Sequence, residues 1–210
     1  MVAFSWEVAY HARWIAPDAI LMQWSALWLL CVIRAYHHPQ KATWLYGSVI
    51  VAGLATGTKY PAGLLLIPTL LLFYWQTKTR LSLIKAGFIF CVTYLMTTPG
   101  TLLQPFKFWH QVEFEMWHYS FGHSKHTVSA GLDHLLKNIE YMATVQLSHF
   151  SIITIVLFVF SVLGVIQLWR DNRRLSILVF LFPLIYLLFM SLQRAMLIRN
   201  LLILVPFMAV

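Results

Sequence analysis

The sequence predicts an all-α fold: a polytopic bundle of transmembrane helices, with short surface helices in one long outer loop. Three observations predict it. Of 210 residues, 60% are hydrophobic and only 10% are charged; a soluble domain usually carries about 25% charged residues. No soluble core could hide this much apolar surface, so lipid must be the solvent over much of the chain. The apolar residues fall into separate runs, and Trp44, Tyr46, Tyr74, Trp75 and Trp169 stand near their ends, as an interfacial aromatic belt does.

Taken in order, the spans are predicted at about 18–36, 43–58, 61–76, 83–102, 150–169 and 175–192, with a seventh at about 197–210 that is truncated. Together they make residues 1–210 a partial transmembrane domain. Only Thr58, Lys59, Tyr60 and Pro61 separate the second span from the third, so those two form a tight helical hairpin. Pro61 suits a first helical turn, where its missing N–H costs nothing. The chain begins without a clear start and stops inside the run LLILVPFMAV. Both ends read as cut, and a longer protein is expected.

The net charge of +8 does not point to nucleic acid, because the basic residues form no stripe. Three of the connections are short and basic: those with Arg34 and Lys41; with Lys78, Arg80 and Lys85; and with Arg170, Arg173 and Arg174. Alternation puts all three on one side, the cytoplasm by the positive-inside rule. The stretch before Ala19, the hairpin tip at Lys59, the 103–149 loop and the 193–196 connection then face outward. Cys31 and Cys91 fall inside apolar runs and read as packed hydrophobes. No signal peptide is evident, since Glu7 interrupts the apolar opening and no basic residue precedes it.

Two helices are expected in the outer loop, along the membrane surface. One carries Phe106, Trp109, Val112, Met116 and Tyr119 on a broad face. The other carries a stripe of Leu132, Leu135, Leu136, Ile139 and Ala143, with Asp133 and Lys137 paired on another face. SFGHSKHTVSAG between them is a polar loop.

The candidate site residues gather on the outer side. Asp18 sits with Pro17 at a helix start, where an acid suits the helix dipole. With Arg13 it forms a cation and a carboxylate at the rim, where a charged head group could dock. Snorkelling of Arg13 to lipid is the other reading. Lys59, in its tight turn, is a point charge suited to phosphate. Gly53 and Gly57 read as helix-packing positions. Arg194 and Arg199 are five apart, so one helix face cannot present both; Arg199 is the one expected to reach a site. His123 and His126 form an HxxH pair. A metal would want further ligands, so loop polarity or hydrogen bonds to a sugar are expected and no metal is assigned. The middles of the spans are nearly free of ionisable groups, unlike an ion-coupled transporter.

HARWIAPDAILMQWSALWLL, GLATGTKYPAGLLLIPTLLLF, the GH of the outer loop and RNLLILVPFMA follow one another in an order that resembles the GT-C class of polytopic glycosyltransferases. More narrowly, it is similar to relatives of protein O-mannosyltransferases and of the aminoarabinose transferase of lipid A. The resemblance implies a polyprenyl-phosphate sugar as donor, with no certain cofactor, and a protein, lipid or glycan as acceptor. It implies that Arg13, Lys59 and Arg199 stabilise charge on the leaving phosphate, with Asp18, Tyr60 and His123 as further substrate contacts. In the family the catalytic acid lies in the first outer loop, upstream of every motif quoted. Its counterpart is expected upstream of Met1. No catalytic residue is therefore named, and the fragment is expected to be inactive alone. A multi-pass protein of a prokaryotic plasma membrane is expected. A transporter or flippase module is the competing expectation.

Overall fold

The computed structural model describes residues 6–13, 17–122 and 126–210. It is an all-α polytopic bundle. Its helices are α1 (Trp6–His11), α2 (Pro17–His37), α3 (Ala42–Thr58), a 3-10 turn (Tyr60–Leu65) running into α4 (Leu66–Thr77), α5 (Arg80–Thr97), α6 (Gly100–Leu103), α7 (Pro105–Phe121), α8 (Leu132–Thr144), α9 (Ser151–Asp171), α10 (Arg173–Ser191) and a terminal 3-10 helix (Ile198–Ala209). Among the described residues α2, α5, α9 and α10 are long and apolar enough to cross a membrane.

The core is built around α2 and the terminal helix. Leu21, Ser25, Trp28, Val32 and Ala35 recur at helical spacing on one face of α2, and all are buried. Trp28 Nε1 donates to Thr69 Oγ1 at 2.8 Å, and Ser25 Oγ to the Ile203 carbonyl at 2.9 Å. These bonds satisfy polar groups that hydrocarbon could not. Leu201 to Met208 are all buried, as befits a segment hydrophobic all round. By contrast α9 buries only Thr154 and α5 only Ala86 and Thr93, so their apolar surfaces are left for lipid.

Gly53 and Gly57 of α3 act in packing. A Cβ on Gly53 would stand 2.8 Å from Thr93 Cβ, and one on Gly57 would stand 1.9 Å from Thr97 Oγ1. Only glycine lets α5 approach this closely.

The three basic connections gather at one end of the bundle. There Tyr36 OH donates to Asn172 Oδ1 at 2.8 Å, and Gln76 Nε2 to the Ala35 carbonyl at 2.7 Å. Asp18, Lys59 and Arg199 lie at the other end.

Several elements differ from the sequence expectation. The run at 83–102 is broken, because Pro99 disfavours helix at Thr98 and cannot donate; α5 ends at Thr97 and α6 is separate. The last run is a 3-10 helix, longer than such helices usually are. Cys31 is buried, but Cys91 is exposed on α5. In α8 the apolar stripe stays outside the bundle, in keeping with a helix along the membrane surface, and a face not singled out from sequence packs inward: Leu136 is 55% exposed, while His134, Asn138 and Met142 are buried. The reason is a polar partner. His134 Nδ1 donates to the Gln193 carbonyl at 2.7 Å, so this face satisfies the chain end of α10.

Candidate functional site

The site is built from three chain reversals at one end of the bundle. Pro17 and Asp18 open α2. Lys59 links α3 to the following 3-10 turn, and its backbone is tied on both sides: its N–H donates to Ala55 and its carbonyl accepts from Ala62, each at 3.0 Å. Arg199 and Asn200 open the terminal helix, where Asn200 N–H donates to the Leu197 carbonyl at 2.9 Å.

These backbones converge their side chains. Lys59 Nζ donates to Asp18 Oδ1 at 2.7 Å and to Asn200 Oδ1 at 2.6 Å. Arg199 Nε stands 3.7 Å from Asp18 Oδ2, an oxygen that accepts no hydrogen bond among the described residues. Asn200 Nδ2 reaches Tyr119 OH at 3.5 Å, and buried Tyr186 donates to the Asn200 carbonyl at 2.8 Å. Asp18 is 2% exposed, whereas Arg199 is 48% exposed. Burial of a lone carboxylate would be costly, and its two cations offset that cost. Asp18, Lys59 and Arg199 together carry one net positive charge, and its open end is the guanidinium.

A cavity of about 720 Å³ opens above this cluster. Asp18, Lys59, Tyr60 and Arg199 line it from the bundle, and Glu115 and Tyr119 line it from α7. The segment after α7 is clasped to the chain before the terminal helix. Arg194 and Ala195 N–H groups both donate to the Tyr119 carbonyl, and Val128 N–H donates to the Arg194 carbonyl. Thr127 and Ala195 form an antiparallel bridge. That clasp holds α7 as a roof.

Of the residues singled out from sequence, Asp18, Lys59, Tyr60 and Arg199 line this cavity. Asp18 is buried beneath it rather than displayed at a rim. Tyr60 is half exposed and packs edge-on against Phe108, with ring centroids 5.8 Å apart. Arg13 is exposed and does not line the cavity, so Lys59 and Arg199 meet without it. His123 lies outside the described residues, and so does Met1, upstream of which the catalytic acid is expected. Asn200, Tyr119 and Glu115 were not anticipated. Asn200 had one signal, a polar residue beside Arg199 in an apolar run; Tyr119 and Glu115 had none, because helix spacing cannot show what a roof covers. Among the described residues no three His, Cys, Asp or Glu side chains group as metal ligands.

A second polar cluster anchors α1. Glu7 is almost fully buried. It accepts a hydrogen bond from Tyr141 OH on α8, and its other oxygen lies 2.9 Å from His11 Nε2. Trp6 Nε1 donates to the Val145 carbonyl at 2.8 Å.

Fold and site thus define an integral membrane protein with a preorganised charged cavity at one end of an α-helical bundle. Residues 1–101 match the family described as dolichyl-phosphate-mannose-protein mannosyltransferase. Over those residues the chain is similar to that family, in agreement with the resemblance to GT-C glycosyltransferases drawn from the motifs. The match takes in Asp18, Lys59 and Tyr60, while Arg199 lies beyond it. No curated protein and no solved structure matches the chain.

Proposed function

We propose that this chain forms the donor-phosphate end of a glycosyltransferase that moves a sugar from a polyprenyl-phosphate carrier to an acceptor on the outer face of a prokaryotic plasma membrane. One observation carries the reading: Lys59 and Arg199, distant in sequence, converge on buried Asp18 beneath a cavity. The acceptor oxygen attacks the anomeric carbon, the bond from that carbon to the phosphate oxygen breaks, and polyprenyl phosphate departs. Cations fixed in advance stabilise the charge that grows on the departing phosphate. Asp18 acts through them: it holds the Lys59 ammonium and the Arg199 guanidinium in place. Glu115, on the roof, lines the same cavity. The base that takes the acceptor proton is assigned to no residue of this chain. A transporter reading is disfavoured because no Asp, Glu, Lys or Arg lies in the middle of α2, α3, α4, α5, α9 or α10, where coupled transport usually keeps such groups.

Binding of undecaprenyl phosphate to the purified protein tests the reading. Lys59→Ala should weaken binding about tenfold or more, the scale of one charge-assisted hydrogen bond, with membrane insertion unchanged. Equal binding by the variant would remove Lys59 from the site.

A further inference from the structure

We propose that a polar cup beside the charged cavity binds the acceptor, and that this acceptor is a neutral glycan; the acceptor role rests on reading the cavity as the donor-phosphate site. The cup has a volume of about 320 Å³ and lies where the chain turns from α5 through α6 into α7. Thr98, Thr101, Gln104 and Gln111 line it with hydroxyls and amides, and Tyr60 and Phe108 line it with rings. Lys107 is the one charged residue of its lining among the described residues. The near wall is tied in place by its own hydrogen bonds. Thr98 Oγ1 donates to the Tyr94 carbonyl at 2.7 Å, Thr101 Oγ1 lies 3.0 Å from Tyr94 OH, and Gln104 N–H donates to the Gly100 carbonyl at 2.9 Å.

Three features carry the inference. First, the cup adjoins the cavity, because Tyr60 lines both. Phe108, Gln111, Glu115 and Tyr119 follow one another at i+3 or i+4 along α7, so they share a face; the first two line the cup and the last two line the cavity. A molecule seated in the cup therefore has the donor site beside it. Second, the lining has the chemistry of a polyol site. A sugar hydroxyl both donates and accepts, and so do a threonine hydroxyl and a glutamine amide. The Thr98 hydroxyl proton is engaged with Tyr94, which leaves its oxygen as an acceptor. The side chains of Gln104 and Gln111 make no hydrogen bond to the described residues, so both amides can serve a ligand. Half-exposed Tyr60 adds ring surface for the C–H face of a sugar. Third, the lining suits other ligands poorly. An anion would find only Lys107, exposed on a flexible stem, where the cavity offers two fixed cations. An extended peptide draws affinity from a sheet edge or an apolar groove, and the cup offers neither. In the net transfer a glycan hydroxyl oxygen bonds to the anomeric carbon and the bond from that carbon to the phosphate oxygen breaks. Its electron pair leaves with polyprenyl phosphate, and the hydroxyl proton ends on that phosphate.

The protein in phosphatidylcholine nanodiscs is tested against three probes: an array of neutral hexose and N-acetylhexosamine oligosaccharides, a Ser/Thr-rich peptide, and undecaprenyl phosphate. At least one oligosaccharide should bind. Gln104→Ala combined with Gln111→Ala should weaken it about tenfold, the worth of two neutral hydrogen bonds. Gly100→Leu should weaken it by filling the cup. Gly100 lines the cup, and a Cβ there would meet nothing within 4 Å, so the fold has room for the larger side chain. Undecaprenyl phosphate, bound at the cavity, should change less than about twofold in these variants, as separate sites do. An array without a binder, or oligosaccharide binding that ignores both variants, overturns the glycan site. Peptide binding that both variants weaken, with no oligosaccharide bound, overturns the glycan assignment in favour of a protein acceptor. Undecaprenyl phosphate binding that ignores Lys59→Ala overturns the donor-phosphate reading, and with it the acceptor role, even where the oligosaccharide binds. Photo-crosslinking of the unaltered protein with a diazirine-bearing oligosaccharide from the array needs no variant to fold. Adducts within residues 98–111 support the cup, and adducts confined elsewhere overturn it.

Discussion

Lys59 Nζ donates to Asp18 Oδ1 at 2.7 Å, joining the hairpin tip between α3 and α4 to the first turn of α2. The pair is asymmetric. The carboxylate is almost fully buried, while the ammonium side chain is 18% exposed. Lys59 and Arg199 are therefore the charged partners of a carboxylate that solvent hardly reaches, and both cations depend on Asp18 for their position.

Removing the carboxylate should cost more than removing both partners together. Asp18→Ala leaves two cations facing each other, with an expected loss of about 2–3 kcal/mol after discounting the partial exposure of Lys59. Asp18→Ala combined with Lys59→Ala should lose less than the sum of the single variants, because the residues share one interaction. Thermal melting of the four proteins in detergent completes the cycle. Strict additivity would mean that the pair contributes no coupling.

Arg199 should matter for ligand more than for fold. Its side chain is half open and its contact with Asp18 is long, at 3.7 Å, so the ion pair adds little stability. A guanidinium that reaches a phosphate gains about 1.5–3 kcal/mol. Arg199→Ala should thus weaken undecaprenyl phosphate about tenfold to a hundredfold and shift the melting temperature only slightly. Arg199→Lys should recover part of the affinity, since it keeps the charge but loses the fork. Calorimetric titration beside thermal melting separates the two effects.

Much of this arrangement was legible in the sequence, and the remainder was hidden for identifiable reasons. The helices and the pairing of Lys59 with a tight turn follow from apolar run length and proline placement, both local properties. That Arg199 rather than Arg194 reaches the cavity was legible from its place beside the last apolar run. Hidden were contacts made by the roof. Tyr119 and Glu115 face the cavity because backbone hydrogen bonds clasp the chain after α7 to residues 194–196, and no periodicity encodes that clasp. Hidden as well was what the other face of α8 meets. A helix laid along the membrane surface leaves its apolar stripe outside the bundle, but the stripe does not show that the chain end of α10 presents a carbonyl to His134 on the opposite face, a group that has to be satisfied.

Gly57 and Gly53 should resist even alanine. At Gly57 a methyl would meet Thr97 Oγ1 and Cβ, and at Gly53 it would meet the Phe90 carbonyl as well as Thr93. Backbone cannot swing aside as a side-chain tip can. Gly53→Ala should cost about 1–3 kcal/mol, the usual penalty of overpacking. Pairing it with Thr93→Ala relieves the side-chain clash but leaves the carbonyl contact, so rescue should be partial. Full rescue, read by thermal melting, would place the whole constraint on Thr93.

Tyr141 gives the α1 anchor a pH signature. Burial comes first, then its hydrogen bond to Glu7 and the charge of that carboxylate; together they push the phenol far above its ordinary value of 10.0. A raised pKa in the folded state means that the stabilisation is complete below about pH 10 and is lost as pH rises beyond it. There the unfolded chain sheds the phenolic proton while the folded chain keeps it. The loss should approach about 1.4 kcal/mol for each further pH unit. Tyr141→Phe removes that proton from both states. The variant should be less stable near neutrality, because buried Glu7 loses a donor, yet its stability should fall less steeply in alkali. The gap between the two proteins should therefore narrow as pH climbs from about 8 to 11. Melting curves across that range would show it, and a gap that stays constant would mean that the fold does not hold the Tyr141 phenol above its ordinary value.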